Sequence, residues 1–138
     1  MSKLIFLILG IVTMAFSCDN VAMDRVYPIK FTNNFNDSIE FYFIKPGGGN
    51  LYPDTNLAVN KPSLLTVAPE EEKRVYLSVD YNAFFNEIPS DTLSIFVIHT
   101  DTLNKYTWEE VRDDYMILKR YDLSLEDLEQ LDFTITYP

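Results

Sequence analysis

Apolar and polar residues alternate most clearly in the first half of the chain. Ile29, Phe31 and Asn33, then Ile39, Phe41 and Phe43, step in twos on either side of the polar run Asn33-Asn34-Phe35-Asn36-Asp37. That period predicts a β-hairpin with one face turned inward. The run Pro46-Gly47-Gly48-Gly49-Asn50 ends the second strand, because consecutive glycines weaken strands and favour loops. A further loop is predicted from Tyr52-Pro53-Asp54-Thr55 to Lys61-Pro62. Residues 64–67 and 74–79, around the turn Ala68-Pro69-Glu70-Glu71-Glu72, predict a second hairpin. Residues 93–98 are apolar enough for a central strand covered on both faces, and residues 133–137 form the last strand.

Helices are expected only in the gaps. Thr107-Trp108-Glu109-Glu110 fits a capping box, in which the Thr hydroxyl and the Glu carboxylate each satisfy a free backbone N–H. Trp108, Val111, Tyr115 and Leu118 would then share one helical face. Ser124-Leu125-Glu126-Asp127 begins a second short helix in the same way, with Leu128 and Leu131 inward. Residues 116–121 fit either a continuation of the first helix or a strand. Strands early, helices late and no regular β-α alternation predict a mainly β fold. The expectation is an antiparallel, immunoglobulin-like β-sandwich with one or two short helices near the C-terminus.

The N-terminus follows a different pattern. Residues 4–16 contain one polar residue, Thr13, and are preceded by Lys3, the charged-then-apolar order of a secretory signal peptide. The run is too short for a membrane-spanning helix, which needs about 20 apolar residues. It leads through Ala15-Phe16-Ser17 into Cys18, the single cysteine. This order resembles the bacterial lipobox, and the resemblance implies cleavage between Ser17 and Cys18 and lipidation of Cys18. One acyl chain anchors marginally, whereas two or three hold firmly, since each buried methylene adds about 0.8 kcal/mol. The expected organisation is a lipoprotein signal peptide over residues 1–17, a lipidated leader over 18–25 and one domain over 26–138. With Cys18 acylated no cysteine remains for a disulfide, so the domain rests on its hydrophobic core.

Charge narrows the partners. Without residues 1–17 the chain carries 10 Lys and Arg against 21 Asp and Glu, a formal charge of −11. Such a surface repels phosphate backbones, which disfavours nucleic acid. A hydrophobic fraction of 47%, with 10 Phe and 9 Tyr, separates the chain from disordered sequences.

The tail IPSDTLSIFVIHTDTLNKYTWEEVRDDYMILKRYDLSLEDLEQLDFTITYP, together with FTNNFNDSIEFYF upstream, resembles a family of small lipoproteins of Bacteroidales bacteria that carries no assigned activity. The resemblance implies an outer-membrane address, facing the periplasm or the outside. Asp37-Ser38-Ile39, Asp91-Thr92-Leu93 and Asp101-Thr102-Leu103 each resemble the Asp-Ser/Thr-aliphatic O-glycosylation sequon of these bacteria, making Ser38, Thr92 and Thr102 candidate glycosylation hydroxyls. Asp-Thr pairs are also ordinary turn chemistry.

Candidate catalytic chemistry is sparse. His99 is the single histidine, at the end of an apolar strand near Asp101, and no Gly-x-Ser-x-Gly elbow accompanies it. Zinc sites want several His or Cys ligands, and the acidic groups Glu70-Glu71-Glu72 and Glu109-Glu110 with Asp113-Asp114 lack the spacing of a calcium loop. Gly47-Gly48-Gly49 lacks the Lys-Ser/Thr of a phosphate cradle. No catalytic residue, metal or cofactor is therefore assigned. Tyr42, Tyr52, Tyr81, Phe84, Phe85 and Trp108 are candidates for an aromatic platform. The sequence favours a non-enzymatic, lipid-anchored envelope module that binds a protein or glycan. The alternative is a small envelope hydrolase, or an accessory subunit of a glycan-processing complex, using paired carboxylates.

Overall fold

The computed structural model describes residues 26–44, 52–88 and 90–138. Its strands are β1 (Tyr27–Asn33), β2 (Ile39–Phe43), β3 (Leu65–Val67), β4 (Glu72–Leu77), β5 (Leu93–His99), β6 (Lys119–Leu123) and β7 (Thr134–Tyr137). Among the described residues, four helices of six residues each, α1 (Tyr81–Asn86), α2 (Thr100–Lys105), α3 (Trp108–Asp113) and α4 (Leu125–Gln130), fill the connections. The strands form two sheets, ordered β4-β1-β7 and β3-β2-β5-β6. All pairings are antiparallel except that of β1 with β7, which is parallel, a departure from the antiparallel expectation.

Neither predicted hairpin forms. β1 and β2 lie in different sheets, as do β3 and β4, so both polar runs are corners that carry the chain from one sheet to the other. Asn33 explains the first corner. Its side-chain Nδ2 donates to the Asp37 carbonyl and its Oδ1 accepts from the Phe35 N–H, both at 2.9 Å. It thereby occupies the backbone groups that a β1-β2 ladder would use. The Asn34 N–H is drawn to the Tyr137 carbonyl of β7 instead (2.8 Å). At the second corner Lys73 Nζ donates to the Thr66 carbonyl (2.6 Å), and Ala68 and Glu71 close a tight turn. Asn33 joins the two corners, since Nδ2 also donates to the Val67 carbonyl at 2.9 Å.

The helices also depart from expectation. α3 and α4 stand where the capping boxes place them, and both boxes are formed. α1 and α2, however, lie in the middle of the chain rather than near the C-terminus. α1 is capped by the Asp80 carboxylate, which accepts from the Ala83 N–H, and it inserts Phe84 and Phe85 into the core. α2 is capped by the imidazole Nδ1 of His99. The undecided segment 116–121 enters β6.

One core draws on both sheets, with Ile29 and Phe31 from β1, Ile39 and Phe41 from β2, Ile95 from β5 and Ile135 from β7. Phe31 packs against Phe41 with ring centroids 4.9 Å apart. A second cluster, including Tyr42, Leu57, Phe96, Ile98, Trp108 and Val111, covers the other face of β2 and β5. β5 is thus covered on both faces, as its continuous apolar run predicts. Each fully buried large side chain contributes about 1.5–3 kcal/mol.

Candidate functional site

Residues 52–64 run across the outer face of the four-stranded sheet as a clamped strap. Leu57 is buried in the second cluster. Trp108 Nε1 donates to the Ala58 carbonyl (2.8 Å), and Arg112 Nη1 to the Val59 carbonyl (2.9 Å). Arg120 holds the other end, donating from Nη1 to the Thr55 carbonyl and from Nη2 to the Pro53 carbonyl. Its guanidinium is oriented by Asp122 (2.9 Å), which also accepts from the Ser94 hydroxyl (2.6 Å), and it lies over the Phe96 ring. An otherwise polar connection becomes a wall because donors far along the chain satisfy its carbonyls.

This wall bounds an apolar trough. One part, about 650 Å³, lies between the strap and the edges of β3 and β4, with Tyr42, Val59, Leu64 and Leu65 among its lining. A second part, about 390 Å³, runs past Leu77 and Val79 to Phe84 and Glu87 of the α1 region. Phe43 and Val75 line both. Two large side chains on its walls are strongly exposed, Val59 at 74% and Tyr76 at 58%. The phenol of Tyr42 titrates above the usual tyrosine range because burial disfavours its anion, so it presents a neutral hydroxyl. The size and apolar lining are those of small-ligand and peptide sites.

The residues singled out in the sequence do not converge there. Ser17 and Cys18 lie outside the described residues, as do Gly47, Gly48 and Gly49. Ser38 and Thr92 are half-buried in the connections just before β2 and β5. Thr102 is half-buried inside α2, so the Asp101-Thr102 pair is helical rather than a turn. The aromatic candidates are dispersed. Phe84 and Phe85 belong to the main core, and Tyr42 and Trp108 to the second cluster. Tyr81 stacks on Phe133 at 3.8 Å, and Tyr52 is exposed.

His99 has both nitrogens engaged. Nδ1 accepts from the Asp101 N–H (3.0 Å), while Nε2 lies 3.5 Å from Asp37 Oδ2. The acidic groups serve local structure: Glu110 and Asp127 close capping boxes, Asp113 pairs with Arg112, and Glu72 with Arg74. Among the described residues no group of three or more His, Cys, Asp or Glu is placed to hold a metal ion, and no helix is long and apolar enough to cross a membrane.

Two features escaped sequence reasoning. Glu40 is a buried carboxylate, 7% exposed, accepting from the Thr66 hydroxyl at 2.9 Å and from the Thr100 hydroxyl at 3.4 Å. Its position among apolar neighbours in Ile39-Glu40-Phe41 was the available signal. The trough had no local signal, because its walls come from strand edges and a strap that meet only in the fold. No protein-family model matches the chain, and no curated protein or solved structure matches it.

Proposed function

We propose that the chain is a lipid-anchored outer-membrane lipoprotein whose β-rich domain is a non-enzymatic binding module, with the apolar trough as its binding surface. The trough carries this reading. It combines a clamped wall, an apolar floor and exposed Val59 and Tyr76, and solvated apolar surface of this kind marks interaction sites. The anchor is supported by Ala15-Phe16-Ser17-Cys18 and by the resemblance to Bacteroidales lipoproteins. A fully extended leader of eight residues spans at most about 29 Å, so the domain would stay close to the bilayer. Tyr27 is opposite Leu77 in the β1-β4 register, so a leader joined ahead of Tyr27 would enter the domain beside one end of the trough. The two sheets sharing one core are read as an immunoglobulin-like sandwich, a scaffold whose edges and loops carry binding. The hydrolase alternative gains less support, since the buried carboxylate of Glu40 faces threonine hydroxyls.

Two measurements test the proposal. Intact mass of the membrane-extracted protein from a Bacteroidales host, beside Cys18→Ala, is expected to show residues 18–138 plus acyl chains, lost in the variant. Additional mass in sugar-sized steps, removed by substituting Ser38, Thr92 or Thr102, would report glycosylation. Photo-crosslinking in cells from positions 59 and 76, with the exposed Asn104 as control, is expected to give discrete adducts from the trough alone. A soluble, unacylated product, or adducts equal at position 104, would overturn the corresponding half.

A further inference from the structure

The hydrogen-bond geometry of β4 specifies how the trough is filled. Among the described residues β4 has one neighbour, β1, and no strand of theirs pairs with its other side. In β1 the Lys30 N–H donates to the Phe133 carbonyl and the Pro28 carbonyl accepts from Tyr81, both away from β4. The Asn33 N–H instead donates to the Glu71 carbonyl, toward β4. Odd positions of β1 therefore face β4 and even positions face away. Partners in an antiparallel ladder share this orientation. Glu72, Arg74 and Tyr76, opposite Thr32, Lys30 and Pro28, consequently turn their N–H and C=O groups to that other side.

The side chains add a second, independent constraint. Val75, Leu77 and Val79 are half-buried and alternate with exposed neighbours, and all three line the trough. A strand added beyond β4 would direct every second side chain onto this same face. The first half of β4 is guarded, with Lys73 bonded to Thr66 and Arg74 paired with Glu72; charged edges of this kind discourage pairing. From Val75 onward no charge lies in the strand. Among the described residues, the one acidic or basic side chain on the trough walls is that of Glu87.

We infer that the β4 edge is a strand-addition site for an extended segment of a partner protein. The segment pairs with the outward backbone groups of Tyr76, in the uncharged half of β4, places alternate aliphatic or aromatic side chains into the trough, and carries a Lys or Arg that meets Glu87. This deepens, and rests on, the binding-module proposal. Charge selects a basic partner segment over a second copy, because the chain's formal charge of −10 opposes self-approach and attracts cations.

The test is selection of a random-peptide display library on immobilised full-length protein, followed by binding of the enriched synthetic peptides. Expected sequences alternate apolar residues and include Lys or Arg. Tyr76→Pro removes an outward N–H together with the ring and should weaken binding at least tenfold with unchanged circular dichroism, while Tyr76→Ala, which removes the ring and keeps the N–H, should weaken it far less. Methylating alternate peptide amides should give the same loss, which decides the matter if the proline variant does not fold. Glu87→Lys should abolish the basic preference. Peptides that bind Tyr76→Pro as well as the parent overturn strand addition but leave the trough proposal standing if Val75→Asp blocks them. No enrichment overturns both. A dimer in light scattering that Tyr76→Pro dissociates would assign the edge to a second copy and overturn the partner segment.

Discussion

Replacing Asn33 with Ala removes the pin between the two corners. Asn33 is fully buried and makes three side-chain hydrogen bonds, to Asp37, Val67 and Phe35, each 2.9 Å. The bond to the Val67 carbonyl is buried, and stranding that acceptor costs about 1–3 kcal/mol. The other two are part-buried, and losing each costs about 0.5–1.5 kcal/mol. The expected destabilisation is about 3 kcal/mol, which for a domain of this size lowers Tm by roughly 10 °C. Asn33→Asp keeps the shape but turns an oxygen, rather than an amino group, toward the Asp37 and Val67 carbonyls, so its loss should be at least as large. Urea denaturation followed by fluorescence reads both variants, since Trp108 is the single tryptophan and is buried. Losses of less than about 0.5 kcal/mol for both would refute the view that this side chain holds the corners together.

The strap and the titrating groups give further predictions. Trp108→Phe keeps a six-membered aromatic ring but removes the pyrrole ring and its bond to the Ala58 carbonyl; it should cost about 2–3 kcal/mol, and hydrogen exchange should show residues 55–59 losing protection before the strands. The Ser124 hydroxyl, and then its N–H, hold the Asp127 carboxyl below the usual carboxylate range. Its stabilising contribution is therefore present above the unfolded value, about 3.9, and lost as pH falls through the lower folded value, so Asp127→Asn should flatten the acid limb of a denaturation series. Burial raises the Tyr42 and Tyr121 phenols, Tyr121 with a further contribution from Tyr137. Their contribution is complete below about pH 10 and lost as pH rises through the raised folded values, and Tyr42→Phe should move alkaline unfolding to higher pH.

Much of the domain was legible locally. Alternation marks the inward faces of β1 and β2, and the Thr107 and Ser124 capping boxes place α3 and α4. Alternation says which face is buried and is silent on which strand is the neighbour. That choice depends on Asn33 reaching Val67, 34 residues away, and Asn34 reaching Tyr137, contacts that no local window contains. α1 and α2 span six residues each, too few for a helical period to declare itself, and α2 begins at a histidine cap outside the usual set. The strap reads as loop because its order is supplied by Trp108, Arg112 and Arg120, about 50 to 67 residues downstream.

The parallel pairing of β1 with β7 has a mechanical consequence. The chain enters β1 at Tyr27, whereas Tyr137 of β7 lies level with Asn33 at the far end of β1. Seven residues of strand separate these points along the axis, roughly 20 Å. Tension applied between the chain ahead of Tyr27 and the chain after Tyr137 therefore pulls β1 and β7 in opposite directions along their length. The load falls on all their ladder bonds together instead of opening them one after another. A domain held to a membrane by its leader and tugged from its other end would resist as a lap joint does, in shear.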